Sequence, residues 1–164
     1  MMHAIFLLAM AATATPAPQP LAEARGAFFA LSVPDADATA AWYREKLGLQ
    51  VILRPPERDG TQVLVLGGGG MMVELIERAD AVPFRQAAPQ ISHDTMVHGV
   101  FKAGVIVDNW DGLVAGLKSR GVHIPFGPFP ATTEQRANLI VRDHDGNLIQ
   151  FIDSRPAASE AVAQ

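Results

Sequence analysis

The chain contains no cysteine, which removes disulfides, thiolate metal sites and thiol nucleophiles together. Lysine is nearly as scarce: Lys46, Lys102 and Lys118 are the only three in 164 residues, so a lysine inside a strand pattern stands out. Charged residues make up 18% of the chain and the formal net charge is −4. With no basic stripe to neutralise phosphates, nucleic acid is an unfavourable partner. No apolar run is long enough to span a bilayer: Ala4–Ala12, AIFLLAMAA, has nine residues, whereas a spanning helix needs about 20. What is abundant is apolar side chain, at 49%, enough for one folded domain with a substantial core.

The short apolar run leads into small residues and the alternating prolines Pro16, Pro18 and Pro20. Ala12-Thr13-Ala14 and Ala22-Glu23-Ala24 each offer an A-x-A cleavage site. Residues 1–24 therefore read as a secretory signal peptide, which places the mature protein in the periplasm or outside the cell with no membrane span. The start, Met1-Met2-His3, carries no Lys or Arg. The alternative is an apolar helix packed on the domain.

The body is built twice. A strand from Phe28 to Val33 runs into Pro34-Asp35, and 74 residues later a strand spanning Val100–Val107, with Lys102 at the matching position, runs into Asp108-Asn109. Each strand precedes an amphipathic helix stopped by glycine, at Gly48 and Gly121. The first helix carries Ala36, Ala40, Tyr43 and Leu47 at helical spacing; the second carries Trp110, Leu113, Val114 and Leu117. Each module closes on a strand with a polar centre, Glu74 and then Gln150, 76 residues apart. So constant an offset signals duplication. The modules span about residues 26–77 and 98–153, with a proline-broken connector from Arg78 to Val97 whose length suits a lid or arm. In the second module Val122–Ile124 is expected as a short strand before the turn at Pro125, Pro128 and Pro130. The alanine-rich segment 154–164 is expected to be a disordered tail.

Three stretches make the pattern specific. Val33-Pro34-Asp35 precedes Trp42-Tyr43-Arg44-Glu45-Lys46-Leu47-Gly48-Leu49; Ala115–Gly121 closes the second helix; Arg142-Asp143-His144-Asp145-Gly146-Asn147-Leu148-Ile149-Gln150-Phe151 forms the last hairpin. Over residues 26–153 these resemble the vicinal oxygen chelate superfamily of glyoxalase I, bleomycin-resistance proteins, methylmalonyl-CoA epimerase and extradiol dioxygenases. His144 stands where that family usually has proline. The resemblance implies an α+β fold of two tandem β-α-β-β-β modules, with paired, cup-shaped mixed sheets and helices on the outer face. It also implies a metal on the cup floor in many members, and dimers in many others.

Alternation along each strand puts Phe29, Leu31 and Val33, with Phe101, Ala103, Val105 and Val107, towards the helices. Phe28, Ala30 and Ser32, and Lys102, Gly104 and Ile106, then fall on the concave side with Glu74 and Gln150. Carried over from the resemblance, the four metal-bearing positions become Phe28, Glu74, Lys102 and Gln150. Phenylalanine cannot ligate, and an ammonium has three donors and no lone pair. One carboxylate and one amide fall short of a zinc, iron or nickel set. His98 stands four residues from Lys102, about 13 Å along a strand, too far to replace it; His93 on the connector is less constrained.

No cofactor is therefore expected. These four residues are read as a ligand-binding floor, with walls from Phe28, Leu64, Met72, Ile106, Leu148 and Ile152. Lys102 either pairs with Glu74 across that floor or extends to solvent. The function expected is binding of a small organic molecule. The competing readings are a metal-dependent lyase, isomerase or dioxygenase with a rebuilt site, and a homodimeric interaction module. His144 is expected as a solvent-facing turn residue, and Gly67–Gly70 as a tight strand connection without phosphate-loop features.

Overall fold

A computed structural model describes residues 26–157. The expected signal peptide and residues 158–164 lie outside the described residues. The first module runs β1 (Phe29–Val33), α1 (Ala36–Trp42) with a π-helical continuation Tyr43–Leu47, β2 (Gln50–Leu53), β3 (Thr61–Gly68) and β4 (Met71–Arg78). A connector follows with a one-turn helix α2 (Phe84–Ala87) and a 3-10 turn at Asp94–Met96. The second module runs β5 (Ala103–Val107), α3 (Trp110–Ser119), β6 (Phe126–Phe129), β7 (Asn138–Arg142) and β8 (Leu148–Asp153). The sheets have the same order, β1-β4-β3-β2 and β5-β8-β7-β6, with the first strand parallel to the last in each. The duplication and the α+β architecture follow from this repeat.

The helix ends are set locally. The Asp35 carboxylate accepts from Ala38 N at 2.8 Å and caps α1, while Asn109 does the same for α3 through Gly112 N at 3.0 Å. Glu77, arriving from β4, takes the Ala36 N–H at 2.8 Å. Gly48 closes the first helix at φ +79, with its N–H on the Arg44 carbonyl at 3.1 Å, a left-handed position that glycine adopts without steric cost.

Strand alternation decides which face is buried. Leu64, Leu66, Val73 and Leu75 of the first sheet and Leu139, Val141, Ile149 and Phe151 of the second join Tyr43, Trp110 and Leu117 in one core shared by both modules. The sheets thus cover the helices from either side and leave their other faces open. Two side-chain hydrogen bonds, one buried and one part-buried, cross the join: Tyr43 Oη donates to Asp143 Oδ2 at 2.9 Å and Thr39 Oγ1 to Asp145 Oδ2 at 2.6 Å. Among the described residues no buried side-chain nitrogen or oxygen lacks a partner, and no helix is long and apolar enough to cross a membrane.

Three expectations change. The short strand is not Val122–Ile124 but Phe126–Phe129, pairing with β7 through Phe126–Ile140 and Phe129–Asn138 with a register shift between them. Pro128 is tolerated there because an edge strand with an irregular ladder does not need its missing N–H. The strand expected from Val100 starts at Ala103: β8 begins only at Leu148, after the turn, so the preceding residues have no parallel partner to bond. Finally, Ser154–Ala157 are not a free tail. Ser154 N donates to Val107 O at 2.9 Å, Arg155 Nε to Asp153 Oδ2 at 2.7 Å, and Ala157 is buried. The Arg155 guanidinium holds the Asp153 carboxyl below the usual carboxylate range.

Candidate functional site

The open face of the first sheet presents Ala30 and Ser32 from β1, Met72, Glu74 and Ile76 from β4, and Val63 and Val65 from β3. That of the second presents Gly104 and Ile106, Gln150 and Ile152, and Asn138 and Ile140. The registers match: Glu74 lies beside Ala30, and Gln150 beside Gly104. Parity along the strands was thus legible in the sequence, with two errors. Phe101, expected towards the helices, precedes β5 and is 45% exposed. Leu64 pairs with Leu75 and is fully buried on the helix side, so Val63 and Val65 are the cup residues of β3.

The four residues expected at the floor stand differently from one another. Phe28 precedes β1 by one residue and is 59% exposed; Lys102 precedes β5 by one residue and is exposed too. Glu74 is half-buried between Ala30 and Val65. Gln150 Nε2 donates to Asn138 Oδ1 at 3.1 Å, a partner that sequence reasoning missed although Asn138 has the right parity in its strand. The ion pair drawn between Lys102 and Glu74 does not form: the two stand on different sheets, and neither has an ion-pair partner among the described residues. Lys102 adopts the solvent-facing alternative.

A metal fits this set poorly on donor chemistry alone. A single carboxylate and an amide already bonded to Asn138 face an ammonium and a phenyl ring. His93 and His98 are exposed on the connector. Among the described residues no three His, Asp or Glu side chains converge.

Lys102 instead lines a cleft of about 870 Å³ bounded by β1, the connector and the turn before β8. Ala30 and Ser32 form its first wall, Phe84 and Val97 of the connector the second, and Leu148 and Asp145 the third. Leu148 is buried yet lies outside the shared core, as expected of a residue on the cup side. The connector is not featureless: Arg85 donates to the Ile91 and Ser92 carbonyls at 2.7 and 3.0 Å and gathers its loop, while Val82, Phe84, Met96 and Val97 remain exposed. Burial pushes the Asp145 carboxyl above its ordinary range, with the Thr39 bond pulling the other way. The cleft thus offers two cations, Arg85 and Lys102, one carboxylate and largely apolar walls, the composition typical of small-molecule sites. His144, at the tip of the same turn, is exposed and lines no part of it.

A family model described as the Glyoxalase/Bleomycin resistance protein/Dioxygenase superfamily matches residues 26–151. No curated protein sequence matches the chain. Among solved structures, a glyoxylase/bleomycin resistance protein/dioxygenase domain from Frankia sp. EAN1pec is 21% identical at a TM-score of 0.61, covering 78% of this chain and 90% of that one. TnmS3, an antibiotic binding protein from Streptomyces sp. CB03234, is 22% identical at 0.52, covering 79% and 97%. A glyoxalase family protein from Enterococcus faecalis is 20% identical at 0.54, covering 80% and 97%. At these identities the likeness is one of fold.

Proposed function

We propose, for a chain that belongs to the glyoxalase/bleomycin resistance protein/dioxygenase superfamily, that it binds a small organic molecule and does so without a divalent metal. The observation that carries this reading is the donor set at the four module positions: Phe28 and Lys102 stand where each module would open a ligand set, and neither can coordinate. Fold likeness to an antibiotic binding protein supports binding as a use to which this architecture is put. The ligand presents an anionic end to Lys102 and its apolar body to the walls of the β1 cleft. With Asp145 on the opposite wall, a zwitterion or an amphipathic acid suits the charges best.

The test is a thermal-shift screen of small organic acids, amines and zwitterions on wild type and Lys102→Met, on protein purified without added ions. Acids or zwitterions should stabilise wild type and bind the variant more weakly by about 1.5–3 kcal/mol, the worth of a charged hydrogen bond. Equal stabilisation of both proteins removes Lys102 as the anchor. About one tightly held metal per chain in the same preparation removes the metal-free reading.

Export is part of the proposal and rests on the apolar run Ala4–Ala12 and the A-x-A sites after it. Intact-mass analysis of a periplasmic or secreted fraction should give a chain starting between about residues 15 and 25. Recovery of the chain with Met1 intact and confined to the cytoplasm contradicts it.

A further inference from the structure

Away from the cup faces, a second cleft of about 260 Å³ lies where the two modules meet. Its apolar floor comes from Leu49 and Met71 of the first module and from Val105, Val107, Leu117 and Phe151 of the second. Glycine makes the space on both rims. Gly68 and Gly69, at the β3–β4 turn, form one edge; Gly116 of α3 forms the other, and a Cβ on Gly116 or Gly69 would meet nothing within 4 Å. A glycine inside an exposed helix costs about 1 kcal/mol relative to alanine, so Gly116 keeps the cleft open against helix propensity.

The mouth carries Lys46 and Arg120. Lys46 Nζ is engaged by Glu45 Oε1 at 2.7 Å and the Arg120 carbonyl at 2.8 Å. Arg120 Nη1 bonds only the Glu45 carbonyl, at 3.3 Å, and no carboxylate among the described residues pairs with the guanidinium. With Glu45 neutralising Lys46, the charge left at the mouth is that of Arg120, whose planar donors match a carboxylate.

We propose that this inter-module cleft is a second ligand site, separate from the cup, for a small monocarboxylate with an apolar body. An apolar cavity of about 150 Å³ accepts benzene, so this larger one takes a chain or ring system of roughly eight carbons. The carboxylate sits on Arg120. Because the walls come from both modules, an occupant clamps them together and stabilises the fold by mass action.

Sodium octanoate is the probe and octylammonium its charge-reversed control, titrated into the full chain and followed by methyl NMR. Octanoate should saturate, shifting the methyls of Met71, Val105, Val107 and Leu117, while octylammonium binds at least tenfold more weakly. Gly116→Leu, which fills the space, should abolish saturation; Arg120→Gln should weaken octanoate about tenfold. If Gly116→Leu fails to fold, Arg120→Gln and the amine control still decide. Equal binding of acid and amine, no change in Arg120→Gln, or shifts confined to the cup residues Ile106 and Ile152 overturns the proposal. Octanoate binding on the cup side is read separately, from Lys102→Met, which leaves Arg120 and Gly116 untouched, so failure of this proposal and failure of the cup reading remain distinguishable.

Discussion

Tyr43 is the only tyrosine of the chain and it is fully buried. Its hydroxyl reaches across the module boundary to Asp143, whose other oxygen accepts from Asp145 N and Asn147 N at 3.0 and 2.8 Å. Burial, and then the neighbouring Asp143 charge, push the phenol far above its ordinary range, so it remains a neutral donor at any working pH. Tyr43→Phe keeps the ring and removes only the donor. It should destabilise the protein by about 1.5–3 kcal/mol, the range for a hydrogen bond to a charged group, read as a lower urea midpoint at unchanged slope. A loss of a few tenths would mean that Asn147 Nδ2, at 2.9 Å from the same oxygen, already satisfies Asp143. The hairpin Asp143-His144-Asp145 is therefore a joint: the Asp143 carboxylate is spent on Tyr43 and the turn backbone, while Asp145 bonds Thr39 through one oxygen and still lines the β1 cleft.

At the scale of elements, local signals located the helices well and the edge strands poorly. A helix carries its own periodicity and stop, so Gly48 and Gly121 close the two helices as the pattern implies, and Asp35 caps the first. An edge strand exists only where a neighbour offers a ladder. Phe126–Phe129 contains a proline and a glycine and resembles a turn until β7 lies beside it. Val100–Lys102 has strand-like neighbours in sequence but nothing to pair with in space, and Val100 is 96% exposed. The connector shows the same dependence: its prolines exclude a long strand, yet the loop gathered by Arg85 and the wall it gives to the β1 cleft arise only from where its ends are fixed.

Taken whole, the molecule has two modules but one core. Trp42 and Tyr43 of the first module and Trp110 and Leu117 of the second pack in the same cluster, and the Tyr43–Asp143 and Thr39–Asp145 hydrogen bonds cross between the modules. Neither module can expose its helix side without leaving that surface wet, so the chain should unfold in a single transition. The two tryptophans, one in each module, make this measurable. In Trp42→Phe and in Trp110→Phe, the remaining tryptophan's fluorescence and the far-UV circular dichroism should give coincident urea curves. Curves that separate within either variant would show modules that melt independently.

Sequence by itself determined what short-range physics can encode. The repeat offset, the helix stops and the alternation that sends Leu31 inward and Ser32 outward all follow from the chemistry of neighbouring residues. So does the lack of an imidazole or carboxylate at Phe28 and Lys102, because side-chain chemistry needs no fold to be read. Tertiary structure alone decided which residues meet. It separated Lys102 from Glu74, gave Gln150 its partner Asn138, turned Leu64 into the core and seated Ser154–Ala157 against the body. Each of these depends on strand pairing or docking between segments far apart in the chain, where a shift of one residue exchanges the faces of a strand.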